Sequence, residues 1–450
     1  MSVPVEQTPS NTTRTILLLA WPAILENLMN TAVYVLDSVF VGRLGTQAFA
    51  AVGQTSMIMM TVTFSLSGVG IAAGAIVARN IGRKDHASAS EAAGQGMLLG
   101  TMIGVVVTVL GMMFAETVLM WLGTPSDVIE AGTRYLQIVF AGSIFRMVSF
   151  VGGGVLRAAG DTRTPMWASA GMNLFNVVGN LVLIFGLGPF PRMETDGAAL
   201  ATCLSFVVGA VVIVLRLFRS GGLIHVSFDQ IRRYIPSVQK SIIRISLPNM
   251  AEQLLFQGGY WIFLWIVTSL GTVSLAAHFM AVRVESFSYM PVFGLAVAVS
   301  TLVGQNLGAG RVDLAEIAVR RSMQIGMAFT VVIGAAFIAM PEPFVAMFSP
   351  EAAVFPLACL CVQIAALDLP GDTILMMCTA AMRGAGDTIT PMVISVIGAV
   401  FLRVGVIYLF AITWEMGLPG VWYGTVVDWT VRGAAGYILY KRGRWKRIQL

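Results

Sequence analysis

The sequence predicts an all-α membrane protein: twelve transmembrane helices in two pseudo-symmetric six-helix lobes. Three observations predict it. First, 57% of the 450 residues are hydrophobic and only 11% are charged, whereas soluble domains carry about 25% charged residues. Second, apolar segments of about 20 residues, long enough to cross a bilayer as a helix, recur along nearly the whole chain. Third, motifs of the first half return in the second half at a fixed spacing.

Taken in order, the spans fall near 15–41, 51–77, 93–114, 131–156, 165–187, 197–217, 241–269, 278–303, 321–340, 356–381, 391–412 and 420–440. The mean hydropathy of +0.81 agrees. Arg14 precedes an apolar stretch that runs from Ile16 through Val41. That is too long for a cleaved signal, so it reads as the first span. The expected organisation is a cytoplasmic tail at 1–14, a lobe at 15–217, a linker at 218–240, a second lobe at 241–440 and a basic tail at 441–450. The linker sets Ile224, Val226, Phe228, Ile231 and Ile235 among polar residues. It reads either as an amphipathic interfacial helix or as a solvated connection. Cys203, Cys359, Cys361 and Cys378 lie in apolar segments without a CxxC and read as buried free thiols.

Lysine and arginine concentrate in cytoplasmic loops because they resist translocation. The two tails and the loops after even-numbered spans, counted with the span ends that border them, hold 21 of them; the opposite side, counted likewise, holds Arg43, Arg134 and Arg192. Both termini are therefore expected in the cytoplasm. The net charge of +5 then faces an anionic leaflet, and no nucleic acid is implied.

The repeat is explicit. Pro22 and Glu26 return as Pro248 and Glu252, Leu44-Gly45-Thr46 as Leu270-Gly271-Thr272, and Asn80-Ile81-Gly82 as Asn306-Leu307-Gly308. Gly160-Asp161-Thr162-Arg163-Thr164-Pro165-Met166 returns as Gly386-Asp387-Thr388-Ile389-Thr390-Pro391-Met392. The shift is identical at all four motifs; near the end of each half it drifts, as Gly197 and Gly420 suggest. Six spans separate equivalent positions, so the halves share one orientation, as in parallel-repeat transporters. Locally, Thr164 and Thr390 are expected to cap helices that open with Pro165 and Pro391. Gly82 and Gly308 are expected to close helices in a left-handed conformation.

The same motifs carry a resemblance. Met290-Pro291-Val292-Phe293-Gly294-Leu295, then Leu302-Val303-Gly304-Gln305-Asn306-Leu307-Gly308-Ala309-Gly310, are similar to those of the multidrug and toxic compound extrusion (MATE) family. So are Arg157-Ala158-Ala159-Gly160-Asp161-Thr162 and Met382-Arg383-Gly384-Ala385-Gly386-Asp387-Thr388. The resemblance covers about residues 15 to 440. It implies two six-helix lobes rocking about a shared cleft, and antiport: H+ or Na+ moves in while an amphipathic, often cationic, organic compound moves out. No cofactor and a monomer are expected.

Charges inside a bilayer are costly and are functional candidates by default. Seven acids fall within spans: Glu26, Asp37, Glu252, Glu285, Asp368, Asp372 and Asp428. The resemblance makes the acid before the Val-Gly pair of span one a coupling residue, and Asp37 before Val41-Gly42 matches it. It gives Asp37 partners on spans five and six, where Asn173, Asn176 and Thr202 fit. One branch of the family has a second Asp where this chain has Asn180. Another branch places coupling acids on spans seven and ten, matching Glu252 and Asp372, the latter eleven residues before Arg383. Asp368 and Asp372, four apart, are expected to stack on one helix face. The cation-coupling candidates are thus Asp37, Glu252, Asp372, Asp368 and Glu26, with Na+ at Asp37 or at Glu252/Asp372 as one reading.

The bland reading is that the acids pair with Arg146, Arg283, Arg403 and Arg432 and only hold helices together. For Asp428, with Arg432 four residues on, it is preferred. Tyr260, Trp261, Phe263 and Trp265 could form an aromatic wall for an organic cation, with Tyr260, Trp261 and Trp265 the substrate-binding candidates.

A rival function is a lipid-linked saccharide flippase. It would need a cationic cavity for a pyrophosphate, against seven acids and four arginines here. Three histidines without metal spacing and no clustered catalytic motif argue against an enzyme, and no P-loop binds ATP.

Overall fold

The computed structural model describes residues 8–348 and 351–448. Residues 1–7 of the expected 1–14 tail and 449–450 of the expected 441–450 tail lie outside the described residues.

The described chain is helical almost throughout. The first half contains α1 (Thr12–Gly42), α2 (Thr46–Leu66), α3 (Gly68–Gly82), α4 (His86–Trp121), α5 (Ser126–Ala141), α6 (Ser143–Ala158), α7 (Arg163–Phe185) and α8 (Glu194–Phe218), then a short α9 (Phe228–Arg232). The second half contains α10 (Pro236–Ser269), α11 (Thr272–Gly308), α12 (Val312–Ala339), α13 (Pro341–Ala346), α14 (Phe355–Ala365) and α15 (Leu369–Gly384). It ends with α16 (Ile389–Thr413) and α17 (Gly417–Lys441).

Eight helices are long and apolar enough to cross a membrane, α2 and α3 counting as one, and two bent pairs bring the number to ten. The remaining two of the twelve expected positions are held by α10 and α17, 34 and 25 residues long. Their polar interiors, including Asn249, Glu252, Asp428 and Arg432, dilute their apolarity.

Two compact units form, one from Pro22 to Ser246 and one from Leu247 onward. The start of α1, as far as Trp21, groups with the second. In the second unit, α15 and α17 pack through missing side chains. A Cβ on Gly433 would lie 2.6 Å from the carbonyl oxygen of Gly371, so α17 can approach the α15 backbone only as glycine.

The two bent pairs are repeat-related. The chain turns by 46° between α5 and α6 and by 49° between α14 and α15. The first bend centres on Gly142, where a Cβ would lie 3.0 Å from the Cys203 sulfur of α8. The second has Asp368 at the position equivalent to Gly142.

Two local expectations are corrected. The side chains that take the free N–H groups at the starts of α7 and α16 are those of Asp161 and Asp387, one residue ahead of the N-cap positions Thr162 and Thr388, not those of Thr164 and Thr390. Asp161 accepts the Thr164 N–H at 3.0 Å and its hydroxyl at 2.8 Å; Asp387 accepts those of Thr390 at 3.1 and 2.7 Å. A carboxylate three residues ahead takes both donors, so the threonine serves as a donor rather than as the cap. The left-handed residues are also displaced. They are Gly160 and Gly386, at φ 89° and 90°, and the pair Lys84 and Gly310, at φ 61° and 72°. Gly82 and Gly308 remain inside their helices, so reversal falls two residues later than expected.

The linker fits neither reading offered for it. Between the end of α8 and the start of α10 at Pro236 only Phe228–Arg232 is helical, and Ile224 and Val226 are buried. Gln95 of α4, fully buried, clamps it. The Gln95 amide donates to the carbonyls of Gln230 at 2.9 Å and Arg233 at 2.6 Å, and its oxygen accepts the Ile235 N–H at 3.0 Å. A buried carboxamide with all its bonding capacity filled is a fixed anchor, because each lost bond would strand a desolvated group.

Candidate functional site

In the first half, α1, α7 and α8 build a polar chain. Asn180 donates to Asp37 Oδ1 at 2.6 Å and to Asn176 Oδ1 at 3.1 Å; Asn176 donates to Thr202 Oγ1 at 3.2 Å. One turn back, Asn173 donates to Asn30 Oδ1 at 2.9 Å. Asn173, Asn176 and Asn180 are all buried, and the side-chain oxygen of Asn180 has no hydrogen-bond partner among the described residues. Asp37 is thus joined through Asn180 to Asn176 and Thr202, while Asn173 pairs with Asn30 instead. The spacing explains why: 173, 176 and 180 follow the i, i+3, i+7 stripe of one face of α7. Asn30 and Tyr135 were not foreseen. Tyr135, buried on α5, lies within electrostatic reach of Asp37 and bonds Thr202 and Ser56.

Glu26 and Glu252 are equivalent in the structure as in the sequence. Arg157 Nη1 lies 3.3 Å from each oxygen of Glu26, and Ser169 donates to its Oε1 at 3.1 Å. Arg383 Nη2 donates to Glu252 Oε1 at 2.7 Å, and Ser395 donates at 2.6 Å. Acid, arginine and serine all recur at the repeat shift, so this ion pair belongs to the repeat.

The remaining acids gather in the second half. Asp428 of α17, fully buried, accepts from Arg403 Nε at 2.8 Å and from Arg432 Nε at 2.8 Å and Nη2 at 2.5 Å. Both guanidinium groups lie over Trp429, with Arg432 4.1 Å and Arg403 5.0 Å from the ring centre. Arg403 stands between two π-helical turns of α16, Ile397–Leu402 and Tyr408–Thr413. At Gly398, in the first of them, any Cβ would collide with the Arg432 side chain. The pairing of Asp428 with Arg432 follows the i, i+4 expectation; Arg403 joins from another helix.

Asp372 lies within electrostatic reach of Arg403 and Arg432, and Asp368 within reach of Glu285, Asp372, Arg403 and Asp428. The neighbours of Asp372 are therefore this cluster, while Glu252 is bound to Arg383 and Ser395. The stacking of Asp368 over Asp372 on one helix is modified: Asp368 sits at the bend, ahead of Leu369 where α15 starts. It is 1% exposed, and neither carboxylate oxygen has a hydrogen-bond partner among the described residues.

The aromatic wall divides. Phe263 is buried and packs on Tyr260 and His278, with ring centres 5.9 and 5.1 Å away. Trp261 and Trp265, four apart on another face of α10, are 45% and 69% exposed. Among the described residues no group of three or more His, Cys, Asp or Glu could hold a metal ion. The four cysteines are free.

The MatE family profile matches residues 22–182 and again residues 248–409. The two matched segments begin at the repeat-related positions Pro22 and Pro248. The chain belongs to the MATE family. It is a multi-pass membrane transporter and not an enzyme. It is similar to the probable multidrug resistance protein NorM of Thermotoga maritima, 28% identical over 448 residues, covering 99% of this chain and 95% of the relative. The corresponding protein of Mesorhizobium japonicum is 30% identical, covering 91% and 90%. Among solved structures, the outward-facing conformation of a multidrug resistance MATE family transporter superposes with a TM-score of 0.89 at 23% identity, over 97% of both chains.

Proposed function

We propose that this MATE transporter exports bulky, amphipathic organic compounds, often cationic, in exchange for inward H+ or Na+. Relatives named as probable multidrug resistance proteins support the substrate class. The coupling site is the chain of Asp37, Asn180, Asn176 and Thr202. One observation carries this reading: an intramembrane carboxylate bonded, among the described residues, to a neutral carboxamide and to no cation, beside a buried Asn180 oxygen that lacks a donor among them. A carboxylate without a counter-cation in a polar pocket binds a proton or a hard monovalent cation through oxygen, and the bound ion supplies the missing charge. Occupancy drives transport when the two access states differ in affinity for the ion.

Asp372, with Asp368, is the second-lobe coupling candidate. Glu26 and Glu252 already have arginine partners, so a bound cation would displace an existing ion pair. Trp261 and Trp265, with Tyr260, are the candidate contacts for an organic cation, through the ring faces. The loop charges put both termini on the cytoplasmic side, with lobes at 15–217 and 241–440.

The test is efflux from proteoliposomes under an imposed H+ or Na+ gradient. Asp37→Asn should abolish the gradient-driven component while the protein stays folded. Asp372→Asn should reduce it. Transport indifferent to both gradients would remove the antiport reading. Unchanged coupled efflux in Asp37→Asn would return that acid to a structural role.

A further inference from the structure

Beyond the coupling network, the segment that follows α17 carries a distinct arrangement of charge. Helix α17 stops at Lys441, and Gly443, at φ 73°, reverses the chain. The turn Arg444–Arg447 folds back on the helix. Trp445 is 1% exposed; its indole N–H donates to the Tyr440 carbonyl at 2.9 Å, and its ring stacks on Tyr440 with centres 5.2 Å apart. Lys446 is ion-paired with Glu316 of α12. The arginines of this turn therefore stand on an anchored backbone.

Beneath them is a cavity of about 160 Å³, lined chiefly by Asp387, Thr390, Leu439, Arg442, Arg444 and Trp445. At the equivalent corner of the first half the aspartate is paired with an arginine. There Arg216, in the last turn of α8, donates through Nε to Asp161 Oδ2 at 3.1 Å. Helices α8 and α17 are both 25 residues long. Matched end to end, they put Leu439 where the first half has Arg216, so the helix sends no cation to Asp387. Asp387 is instead occupied with the N–H and hydroxyl of Thr390. The basic groups come from beyond the helix. The chain leaves α8 extended at Arg219, but at Gly443 it turns back, which brings Arg442 and Arg444 to the cavity. Among the described residues neither has a carboxylate within 4.0 Å.

We infer that this cavity binds the phosphate of an anionic glycerophospholipid headgroup. Two guanidinium forks with no carboxylate in ion-pair range among the described residues offer planar, paired donors that match phosphate oxygens. The place fits the ligand: it lies where a membrane helix ends, at Trp445 and the Tyr440 ring stacked on it, residue types that settle at headgroup level. Trp445 and Leu439 give the wall an apolar side on which a glycerol backbone and the first acyl carbons can lie. Basic residues placed just beyond a membrane span attract anionic lipid for the same electrostatic reason. The inference is independent of the coupling ion and of the exported compound.

The experiment is native mass spectrometry of the full-length purified protein, titrated with phosphatidylglycerol, phosphatidylcholine or inorganic phosphate. The protein should retain one phosphatidylglycerol more tightly than phosphatidylcholine. Arg442→Gln/Arg444→Gln should weaken that retention by on the order of tenfold or more, the loss of two surface cations. Arg442→Lys/Arg444→Lys should keep the charge and recover part of it. Raising the salt concentration should weaken retention, because exposed charges are screened. Equal retention of the two lipids, or unchanged retention in the glutamine variant, would overturn the inference. Displacement of phosphatidylglycerol by an equal concentration of inorganic phosphate would assign the cavity to a soluble anion instead and equally overturn it. Trp445 is untouched in every variant. If the double variant does not fold, Arg442→Glu alone gives the same reading.

Discussion

At the residue scale, the intramembrane acids divide by what neutralises them. Glu252 has an arginine at 2.7 Å and a serine at 2.6 Å on one oxygen, with 5% of its side chain exposed. Replacing it with glutamine leaves Arg383 without its counter-charge. Removing one partner of a buried pair costs about 3–5 kcal/mol. Because Arg383 is 24% exposed, Glu252→Gln should fall near the lower end, about 3 kcal/mol. The Glu26 pair is longer, and its acid is more exposed, so Glu26→Gln should cost less. Melting of the purified protein checks both. A double-mutant cycle with Arg383→Gln should show strong coupling, since either single change breaks the same pair. If Glu252→Gln melts like the parent but loses gradient-driven efflux, the acid is a coupling group and the structural reading fails. Asp428 is the limiting case, a single carboxylate holding two guanidinium groups. Its pairing with Arg432 was legible because i, i+4 neighbours meet on any helix. Arg403 joins it from a separate helix, and no local spacing encodes that.

At the element scale, the legible features were those that repeat. The all-helical class, the order of the spans and the Pro22 and Pro248 positions could be read because hydrophobic length and a constant offset are properties of the sequence alone; the breaks that split spans into shorter helices could not. The caps were misread for a physical reason. Thr164 and Thr390 look like capping residues, yet Asp161 and Asp387 precede them by three positions, and a carboxylate is the stronger acceptor. Likewise, a motif ending in Gly does not say which residue turns left-handed. In the first half a lysine, Lys84, takes that conformation where the second half has Gly310. The cap assignment makes a prediction. Asp161→Ala and Asp387→Ala should each destabilise by about 1 kcal/mol for the lost cap. Asp161→Ala should cost more, because it also strands Arg216. Thr164→Ala, which leaves the backbone N–H bonded to Asp161, should cost less than either. Denaturant midpoints of the three variants order them, and equal losses in all three would contradict the assignment.

At the scale of the whole molecule, one scaffold is written twice and then specialised. The ion pairs Glu26–Arg157 and Glu252–Arg383, the caps and the bends are common to both halves. The Asp37 network is confined to the first and the Asp428 cluster to the second, where Phe263 occupies the position of Asp37 and, with α8 and α17 matched end to end, Arg432 that of Gly209. The candidate site of the first half was legible because the three asparagines sit on one helical face. The cluster of the second half was only partly so, because it draws its charges from α11, α15, α16 and α17. The linker was not legible at all. A single glutamine on α4, far from Gln230 in the chain, organises it, and nothing in its local sequence marks Gln95 as an anchor. That anchor can be tested by proteolysis. Arg232 and Arg233 are exposed, but the Arg233 carbonyl and the Ile235 N–H are held by Gln95. Gln95→Leu removes the bonds to Gln230, Arg233 and Ile235, and a fourth from Gln239, while keeping most of the side-chain volume. Losing even about 1.4 kcal/mol of local stability raises the open population roughly tenfold. Cleavage of an opened segment tracks that population when reclosing is fast. Trypsin should therefore cut after Arg232 or Arg233 about tenfold faster in Gln95→Leu. Cleavage elsewhere in the chain should be unchanged. An unaltered cleavage rate would mean that the buried apolar contacts of Ile224 and Val226 hold the linker without the glutamine.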